Sequence, residues 1–206
     1  MELVDRRRGV LSDRGIVSRV PSHRIEHWAP EDWRAYRAVR LRSLAESPDA
    51  FASTLEAEGG RSDEEWEARV SAGATSELDL PLSLRHGDDV VGLAWGKVLP
   101  NEPDSAHLFQ MWVAPECRGQ GLGAEMLARV IAWATDLGAA RLVLGVTEGD
   151  TPARRLYEGA GFRAYGDLEP LRPGSAVRSQ KMLLELSAHG PEENRTPPGR
   201  REWPRL

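Results

Sequence analysis

The sequence predicts an α/β domain with a mixed, mostly antiparallel sheet flanked by helices, and three observations support this prediction. Two amphipathic helical patterns precede a series of strand-like runs that short turns connect. A glycine-rich loop then joins a strand to a third helical pattern. A short apolar run, a fourth helix and a final pair of strands complete the order, which is typical of an α/β domain.

The predicted domain occupies the middle of the chain. The protein has 206 residues, which fits one domain with some chain to spare. Residues 1–22 show no sustained hydrophobic period, so we predict a flexible N-terminal extension there. Residues 188–206 are rich in proline, glycine and charge, which predicts a disordered C-terminal tail. The folded domain is therefore expected over residues 23–187.

Composition excludes several classes of partner. The chain is 40% hydrophobic and 29% charged, as in ordinary globular proteins. Its net charge of −5 provides no overall positive field for nucleic acid or an anionic membrane. No apolar run approaches the roughly 20 residues that span a bilayer. The single cysteine rules out an internal disulfide framework and a cysteine-cluster metal site, so we expect no metal and a cytoplasmic location.

The first two predicted helices have clear starting signals. The first follows Pro30 and ends before Pro48. The second begins at Ser62 and Glu65, whose spacing is that of a capping box. Apolar residues recur at helical spacing in both helices, namely Trp33, Tyr36, Val39 and Leu44 in the first and Trp66 and Val70 in the second.

The central strands are predicted from apolar runs and one turn. Residues 81–85 and 90–99 are separated by His-Gly-Asp-Asp, which is a hairpin signal. Residues 106–113 form the next predicted strand. Residues 142–146 are a short continuous apolar run, as expected of a strand that is buried on both faces.

Two more helices and two closing strands follow. The third helix ends at Gly138, which suits a left-handed C-terminal position. Thr151, which a proline follows, marks the start of the fourth helix, and Gly161 marks its end. Residues 162–166 and 180–186 are the closing strands. The predicted inner faces consist of Leu127, Val130, Ile131 and Ala134 in the third helix and Ala153, Leu156, Tyr157 and Ala160 in the fourth.

The most informative local pattern is the glycine-rich loop in MWVAPECRGQGLG, residues 111–123. Gly119, Gly121 and Gly123 allow unusual backbone conformations and leave N–H groups uncovered, so that several can bind one anion at the start of the next helix. A P-loop is excluded because Ala-Glu follows Gly123 where Lys-Ser/Thr is required. A dinucleotide loop is rejected because residues 142–144, about 20 positions on, are apolar instead of acidic.

The remaining pattern, Arg118 with Gly121 and Gly123, resembles the coenzyme A pyrophosphate loop of the GNAT superfamily of N-acetyltransferases. Residues 156–162, LYEGAGF, resemble the downstream Leu-Tyr-x-x-x-Gly-Phe motif of the same family. The order of predicted elements is similar to the family's fold over residues 24–186. Two independent motifs in the right order are more specific than either motif alone.

The resemblance implies the GNAT acyltransferase fold, acetyl-coenzyme A as co-substrate and no metal. In this family the strand before the loop is bulged and splays from the next strand, which exposes backbone groups to the pantetheine arm. Many members carry Asn where this chain has Asp150, which can cap a helix but cannot donate the amide's hydrogen bonds. The implied coenzyme-binding residues are Met111, Trp112, Val113, Arg118, Gly119, Gln120, Gly121, Leu122, Gly123, Asp150, Ala153 and Tyr157.

The resemblance also indicates the catalytic groups. It implies that Tyr157 donates a proton to the leaving thiolate, a role that a phenol of comparable pKa can fill. The base that deprotonates the amine is less clear, and His107, Asp104 and Glu58 are the candidates, acting directly or through water. Cys117 precedes the loop, so we expect direct transfer with no acetyl-cysteine intermediate.

The expected function is N-acetyl transfer from acetyl-coenzyme A to a primary amine by direct attack. The alternative is a non-catalytic acyl-coenzyme A-binding sensor on the same fold. Tyr157 favours the enzyme, whereas Asp150 and the unassigned base favour the sensor. The motifs do not select among a small-molecule amine, an antibiotic and a peptide or lysine amine. We expect a monomer or homodimer.

Overall fold

Seven strands form the core of the protein. The computed structural model describes residues 23–186, so the predictions for residues 1–22 and 188–206 lie outside the described residues. The strands are β1 (His23–His27), β2 (Asp79–His86), β3 (Asp89–Leu99), β4 (Glu102–Val113), β5 (Arg141–Thr147), β6 (Arg163–Pro170) and β7 (Arg178–Glu185).

These strands form one mixed sheet in the order β1-β2-β3-β4-β5-β7-β6. All neighbours are antiparallel except β4 and β5, which confirms the predicted mostly antiparallel sheet. The observed strands extend beyond most of the predicted runs, because backbone pairing also includes the polar residues at strand ends. The buried residues of β5 include Leu142, Leu144 and Val146, as predicted for an interior strand.

Five α-helices flank the sheet within residues 23–186. The capping box of the second predicted helix is confirmed, because the Ser62 hydroxyl accepts from the Glu65 N–H at 3.3 Å and the Glu65 carboxylate accepts from the Ser62 N–H at 2.7 Å. No helix within residues 23–186 is long and apolar enough to cross a membrane. The helices are α1 (Trp33–Glu46), α2 (Leu55–Gly59), α3 (Asp63–Thr75), α4 (Leu122–Asp136) and α5 (Pro152–Gly159).

Two short elements, β1 and α2, were not predicted. The β1 sequence HRIEH is polar and has no turn signal beside it, and its strand conformation depends on antiparallel pairing with β2. Helix α2 has only five residues and begins where the Thr54 hydroxyl accepts from the Ala57 N–H at 3.1 Å. Elements this short depend on tertiary contacts more than on local propensity.

The helices cover both faces of the sheet. Neighbouring residues of a strand point to opposite faces. A Cβ atom at Gly73 of α3 would collide with the Trp95 indole, and one at Gly96 would lie 2.7 Å from Trp133 of α4. Helix α3 therefore lies on the Trp95 face and α4 on the Gly96 face. Helix α1 packs against α3 and β3.

The two central strands diverge at their C-terminal ends. Strands β4 and β5 pair only from Ser105↔Arg141 to Leu108↔Leu144, although β4 continues to Val113. The register of β3 against β4 shifts near Gln110, whose φ of 57° marks a bulge. The splayed central strands expected from the resemblance are thus confirmed, and they create an opening between β4 and β5.

Candidate functional site

The opening exposes backbone groups of β4. The Ala114 N–H donates to the Val91 carbonyl of β3 at 2.8 Å. Because the backbone groups of alternate residues point to the same side of a strand, Met111 and Val113 direct theirs away from β3, toward the opening. The Val113 carbonyl accepts from the Arg118 Nε at 2.9 Å, so the groups open to a ligand with amide groups are those of Met111 and the Val113 N–H.

The glycine-rich loop lies at the end of the same strand. Gly119 and Gly121 have φ values of 76° and 81°, and an added Cβ at either position would have no heavy atom within 4 Å. Both glycines are thus required by backbone conformation, and the space beside them is open. Gly123 has a different role, because its Cβ would lie 3.4 Å from Leu156 of α5.

Helix α4 begins at this loop with uncapped donors. The first bond of the helix joins the Glu125 N–H to the Gly121 carbonyl at 3.1 Å. No side chain caps Gly121, and none of the N–H groups of residues 121–124 has a hydrogen-bond partner within residues 23–186. Four free N–H groups at a helix N-terminus attract an anion. The residues present therefore fit a pyrophosphate.

The Arg118 side chain is bound by other protein groups and is not free to bind an anion at this site. Its Nε donates to the Val113 carbonyl at 2.9 Å, and its two terminal nitrogens donate to the Glu46 carboxylate at 3.2 and 2.7 Å. The Trp112 indole also donates to Glu46, at 2.9 Å. The hydrogen bond from Arg118 is the main reason that the pKa of Glu46 is lowered to about 2. This geometry fits Arg118 as a residue that shapes the loop better than as a positive charge that binds the anion.

The low pKa of Glu46 leads to a testable pH dependence. A carboxyl with a pKa lowered by folding stabilises the folded state above its unfolded pKa, and this stabilisation is lost as the pH falls toward the folded value. We therefore expect Glu46→Gln to lower the thermal midpoint at pH 7, with the difference from the parent shrinking between the ordinary pKa of 4.5 and about 2. Thermal unfolding from pH 7 to pH 2 measures this. A difference that is constant across the range would contradict it.

Tyr157 is the buried residue of helix α5. Its side chain is buried, packs against Phe162 with ring centroids 5.9 Å apart, and makes no hydrogen bond with any described residue. Burial raises the pKa of the phenol to about 12, so it stays protonated at neutral pH. The Thr151 hydroxyl caps the helix by accepting from the Arg154 N–H at 3.1 Å. Tyr157 is thus a neutral donor without a competing partner in the described part of the chain.

His107 lies in the paired part of β4, before the opening. Its Nε2 is 3.1 Å from the Glu102 carboxylate, and its ring stacks on Phe109 with centroids 5.9 Å apart. It pairs with Lys97, which shares the Trp95 face. Gly161, just after α5, lies beside Leu184 of β7. Strand β7 pairs with β5, and the pairing across the sheet puts the Leu184 side chain on the face that α4 covers, which is opposite to the Trp95 face. His107 and the helix carrying Tyr157 therefore lie on opposite faces of the sheet.

The other two base candidates have different surroundings. Asp104 is exposed near the start of β4. Glu58 is buried and forms an ion pair with Arg40, whose Nη2 lies 2.8 Å from the carboxylate. Burial raises the pKa of Glu58, but the Arg40 hydrogen bond and charge outweigh it, and the net pKa is lowered. A paired carboxylate of this kind is a poor proton acceptor. Cys117 is buried, and burial raises the pKa of its thiol.

The remaining predicted coenzyme residues differ in exposure. The side chains of Trp112 and Leu122 belong to the core. The backbone of Trp112 is directed toward β3, so of these two residues only Leu122 offers a backbone N–H to the site. Gln120, Asp150 and Ala153 are exposed. Thr151 caps α5, in agreement with the predicted helix start, and Asp150 pairs with Arg155 at 2.7 Å. One expectation is corrected here: Ala153 was predicted on the inner face of α5 but is exposed, and the only buried residue of this helix is Tyr157.

Three residues near the site were not found from the sequence. Glu46 binds Arg118, and the Tyr36 hydroxyl donates to the Gln110 side chain at 2.6 Å, beside the bulge. These partners lie 72 and 74 residues apart in the chain. The only signal in the sequence was the helical spacing of apolar residues in α1, which predicts that Tyr36 is buried in the core. Within residues 23–186, no group of three or more His, Cys, Asp and Glu residues could hold a metal ion.

Sequence comparison identifies relatives of this chain. Residues 25–162 match the acetyltransferase (GNAT) family. A mycothiol acetyltransferase of Pseudarthrobacter chlorophenolicus is 29% identical over 138 residues, which are 66% of this chain and 40% of that protein. L-2,4-diaminobutyric acid acetyltransferase of Methylotuvimicrobium alcaliphilum is 32% identical over 111 residues, which are 54% of this chain and 62% of the relative. The chain thus spans less than two thirds of the length of either relative.

Solved structures show the same fold. A GNAT-family acetyltransferase from Streptococcus pneumoniae aligns with a TM-score of 0.70 and 21% identity, covering 80% of this chain and 99% of that one. Spermidine N-acetyltransferase from Vibrio cholerae, solved with CoA and spermine, aligns with a TM-score of 0.65 and 19% identity, covering 81% of this chain and 97% of that one. The family match over residues 25–162 includes the loop, both central strands and Tyr157, and this chain therefore belongs to the acetyltransferase (GNAT) family.

Proposed function

We propose that this protein is an N-acetyltransferase that transfers an acetyl group from acetyl-coenzyme A to a primary amine by direct attack. The observation that carries the proposal is the set of four free N–H groups of residues 121–124, next to the opening between β4 and β5. The acetyltransferase names of the relatives support the same reaction.

Each part of the site has a role in this proposal. The N–H groups of residues 121–124 bind the pyrophosphate, and the backbone groups of Met111 and the Val113 N–H bind the pantetheine arm. The acceptor nitrogen attacks the thioester carbonyl carbon, the C–S bond breaks, and Tyr157 gives its proton to the departing sulfur. His107, oriented by Glu102, takes the proton of the amine directly or through water.

The opposite placement of the two groups suits this reaction. His107 is on the Trp95 face of the sheet and Tyr157 is on a helix of the other face. In this proposal the base approaches the amine from one face of the sheet and the acid approaches the sulfur from the other.

The acceptor class stays broad in this proposal. The spermidine enzyme and the diaminobutyric acid enzyme are named for amines, and a small-molecule or peptide amine is the class proposed for this chain. We propose a cytoplasmic protein without nucleic acid as partner, since the chain has one cysteine and a net charge of −5. A panel of amines, followed by release of free thiol, identifies the acceptor. Coenzyme binding without turnover on any amine would favour the sensor.

Gly121→Val tests the coenzyme site directly. At a φ of 81° a β-branched residue is strained, and its side chain would fill the open space beside the N–H groups. We expect the Kd for coenzyme A to rise more than about 100-fold by calorimetry, because several charge-assisted hydrogen bonds are lost together.

The matched control for this experiment is Gly87→Val. Gly87 also has positive φ, at 59°, and open space around it, but it lies in the β2–β3 turn. This variant should lose a similar amount of stability and keep its coenzyme affinity. The loop assignment fails if Gly121→Val binds coenzyme A as tightly as Gly87→Val does.

A further inference from the structure

The end of helix α1 is joined to the glycine-rich loop by one carboxylate. Glu46 is the last residue of α1, and it accepts two hydrogen bonds from Arg118 and one from Trp112. The neighbouring Ser47 hydroxyl also donates to it. A single side chain therefore connects a helix, the end of β4 and the start of the loop.

Arg118 is held from two directions. Three of its five guanidinium N–H donors are used, one on the Val113 carbonyl and two on Glu46. The planar guanidinium matches the two carboxylate oxygens, which fixes orientation as well as distance. The direction of the backbone from Arg118 into the loop is therefore fixed.

The loop has few other restraints beyond Arg118. Added Cβ atoms at Gly119 and Gly121 would have no heavy atom within 4 Å, so no group packs against the loop on the side where a side chain would lie. On the far side the chain enters α4 at Leu122, which is buried in the core. The conformation of the loop thus depends on two anchors, Arg118 before it and α4 after it.

We propose that Glu46 is a positioning residue for the coenzyme A pyrophosphate loop, acting through Arg118 and making no contact with the coenzyme. The inference rests on the proposed function. The carboxylate neutralises the guanidinium, so the pyrophosphate is bound by backbone N–H groups whose arrangement Glu46 maintains. Pantetheine lacks the pyrophosphate, and the backbone groups proposed to bind it, those of Met111 and the Val113 N–H, contact neither Glu46 nor Arg118, so its binding does not depend on Glu46.

A second ion pair on the same loop does not provide this restraint. Arg42 reaches Glu116 at 2.6 Å through a single hydrogen bond. Arg42 and Arg118 are equally exposed, at 46%, but Glu116 is 56% exposed whereas Glu46 is 31% exposed. Glu46 also binds both terminal nitrogens of Arg118 and the Trp112 indole, and such a network restrains geometry more than one exposed pair does. Arg42 and Glu116 also make no hydrogen bond with Arg118.

The experiment compares two ligands across three variants of the full chain. Glu46→Gln and Arg118→Lys both break the paired hydrogen bonds between the guanidinium and the carboxylate. Arg118→Lys keeps the positive charge at an exposed position. It therefore tests the positioning role of Glu46 even if Glu46→Gln folds poorly. Arg37→Ala is the control, because it removes another ion pair of α1, to Asp63, far from the loop. Calorimetry gives the Kd for coenzyme A, and NMR titration gives the Kd for pantetheine.

We expect both test variants to weaken coenzyme A binding about ten- to hundredfold, since hydrogen bonds between charged groups are lost. Pantetheine binding should stay within about twofold of the parent, and Arg37→Ala should change neither ligand. Equal losses for both ligands, or no loss for coenzyme A, would overturn the inference. A parent protein that does not bind coenzyme A would instead remove the proposed function.

Discussion

Replacing Tyr157 with Phe is expected to lower kcat about 10²- to 10⁴-fold, which corresponds to roughly 3–5 kcal/mol of barrier. The change removes only the hydroxyl and keeps the ring that packs against Phe162. The hydroxyl makes no hydrogen bond within residues 23–186, so its removal leaves no described partner unsatisfied. The Kd for coenzyme A should therefore stay close to that of the parent.

The loss should appear in kcat more than in binding, because the proton is needed only as the sulfur leaves. Steady-state kinetics with an acceptor from the amine panel measures it, together with calorimetry for the coenzyme. Tyr165→Phe is the matched control, since Tyr165 is an exposed tyrosine of β6 at 43%. A Tyr157→Phe enzyme with kcat within about twofold of the parent, and with chemistry rate-limiting, would exclude proton donation.

The raised pKa of Tyr157 adds a pH expectation. Because the folded pKa is about 12, the phenol keeps its proton throughout the range in which the protein can be assayed. The alkaline limb of the parent's kcat profile should therefore contain no contribution from this group below about pH 10. His107→Gln should lower kcat and leave the Kd for coenzyme A unchanged, because it removes the proposed base and keeps the glycine-rich loop.

Breaking the buried ion pair of Arg40 and Glu58 is expected to cause the largest loss of stability. Both side chains are almost fully buried, at 2% and 3% exposure. The Arg40 guanidinium also lies over the Phe51 ring, 4.6 Å from its centroid, and its Nη1 has no hydrogen-bond partner in the structure. Glu58→Ala would leave a buried, unpaired cation, which typically costs about 3–5 kcal/mol of unfolding free energy.

Denaturant unfolding at pH 7 measures this loss. The exposed pair of Arg37 and Asp63 provides the control, and Arg37→Ala should cost at most about 1 kcal/mol. The double variant Arg40→Met/Glu58→Leu should recover most of the stability, because an apolar pair carries no desolvation cost. If Glu58→Ala costs no more than Arg37→Ala, the pair does not stabilise the fold.

The fold and the outline of the site could be predicted because their signals are local in the chain. Alternating glycines, a capping box, a proline after Thr151 and apolar residues at helical spacing each act within a few residues of their position. Gly119 and Gly121 have positive φ, a conformation that glycine adopts readily, and their positions can be read from the sequence without tertiary information. The family resemblance then placed these local signals in one known order.

The tertiary structure alone decided which side chains support the site. Glu46 meets Arg118 across 72 residues, and Tyr36 meets Gln110 across 74. It also decided that Glu58 is an ion-pair partner and that His107 and α5 lie on opposite faces. Local sequence determines backbone conformation through steric and hydrogen-bonding preferences of neighbouring residues. Contacts between distant side chains arise only when packing brings their elements together, and no spacing in the sequence encodes them.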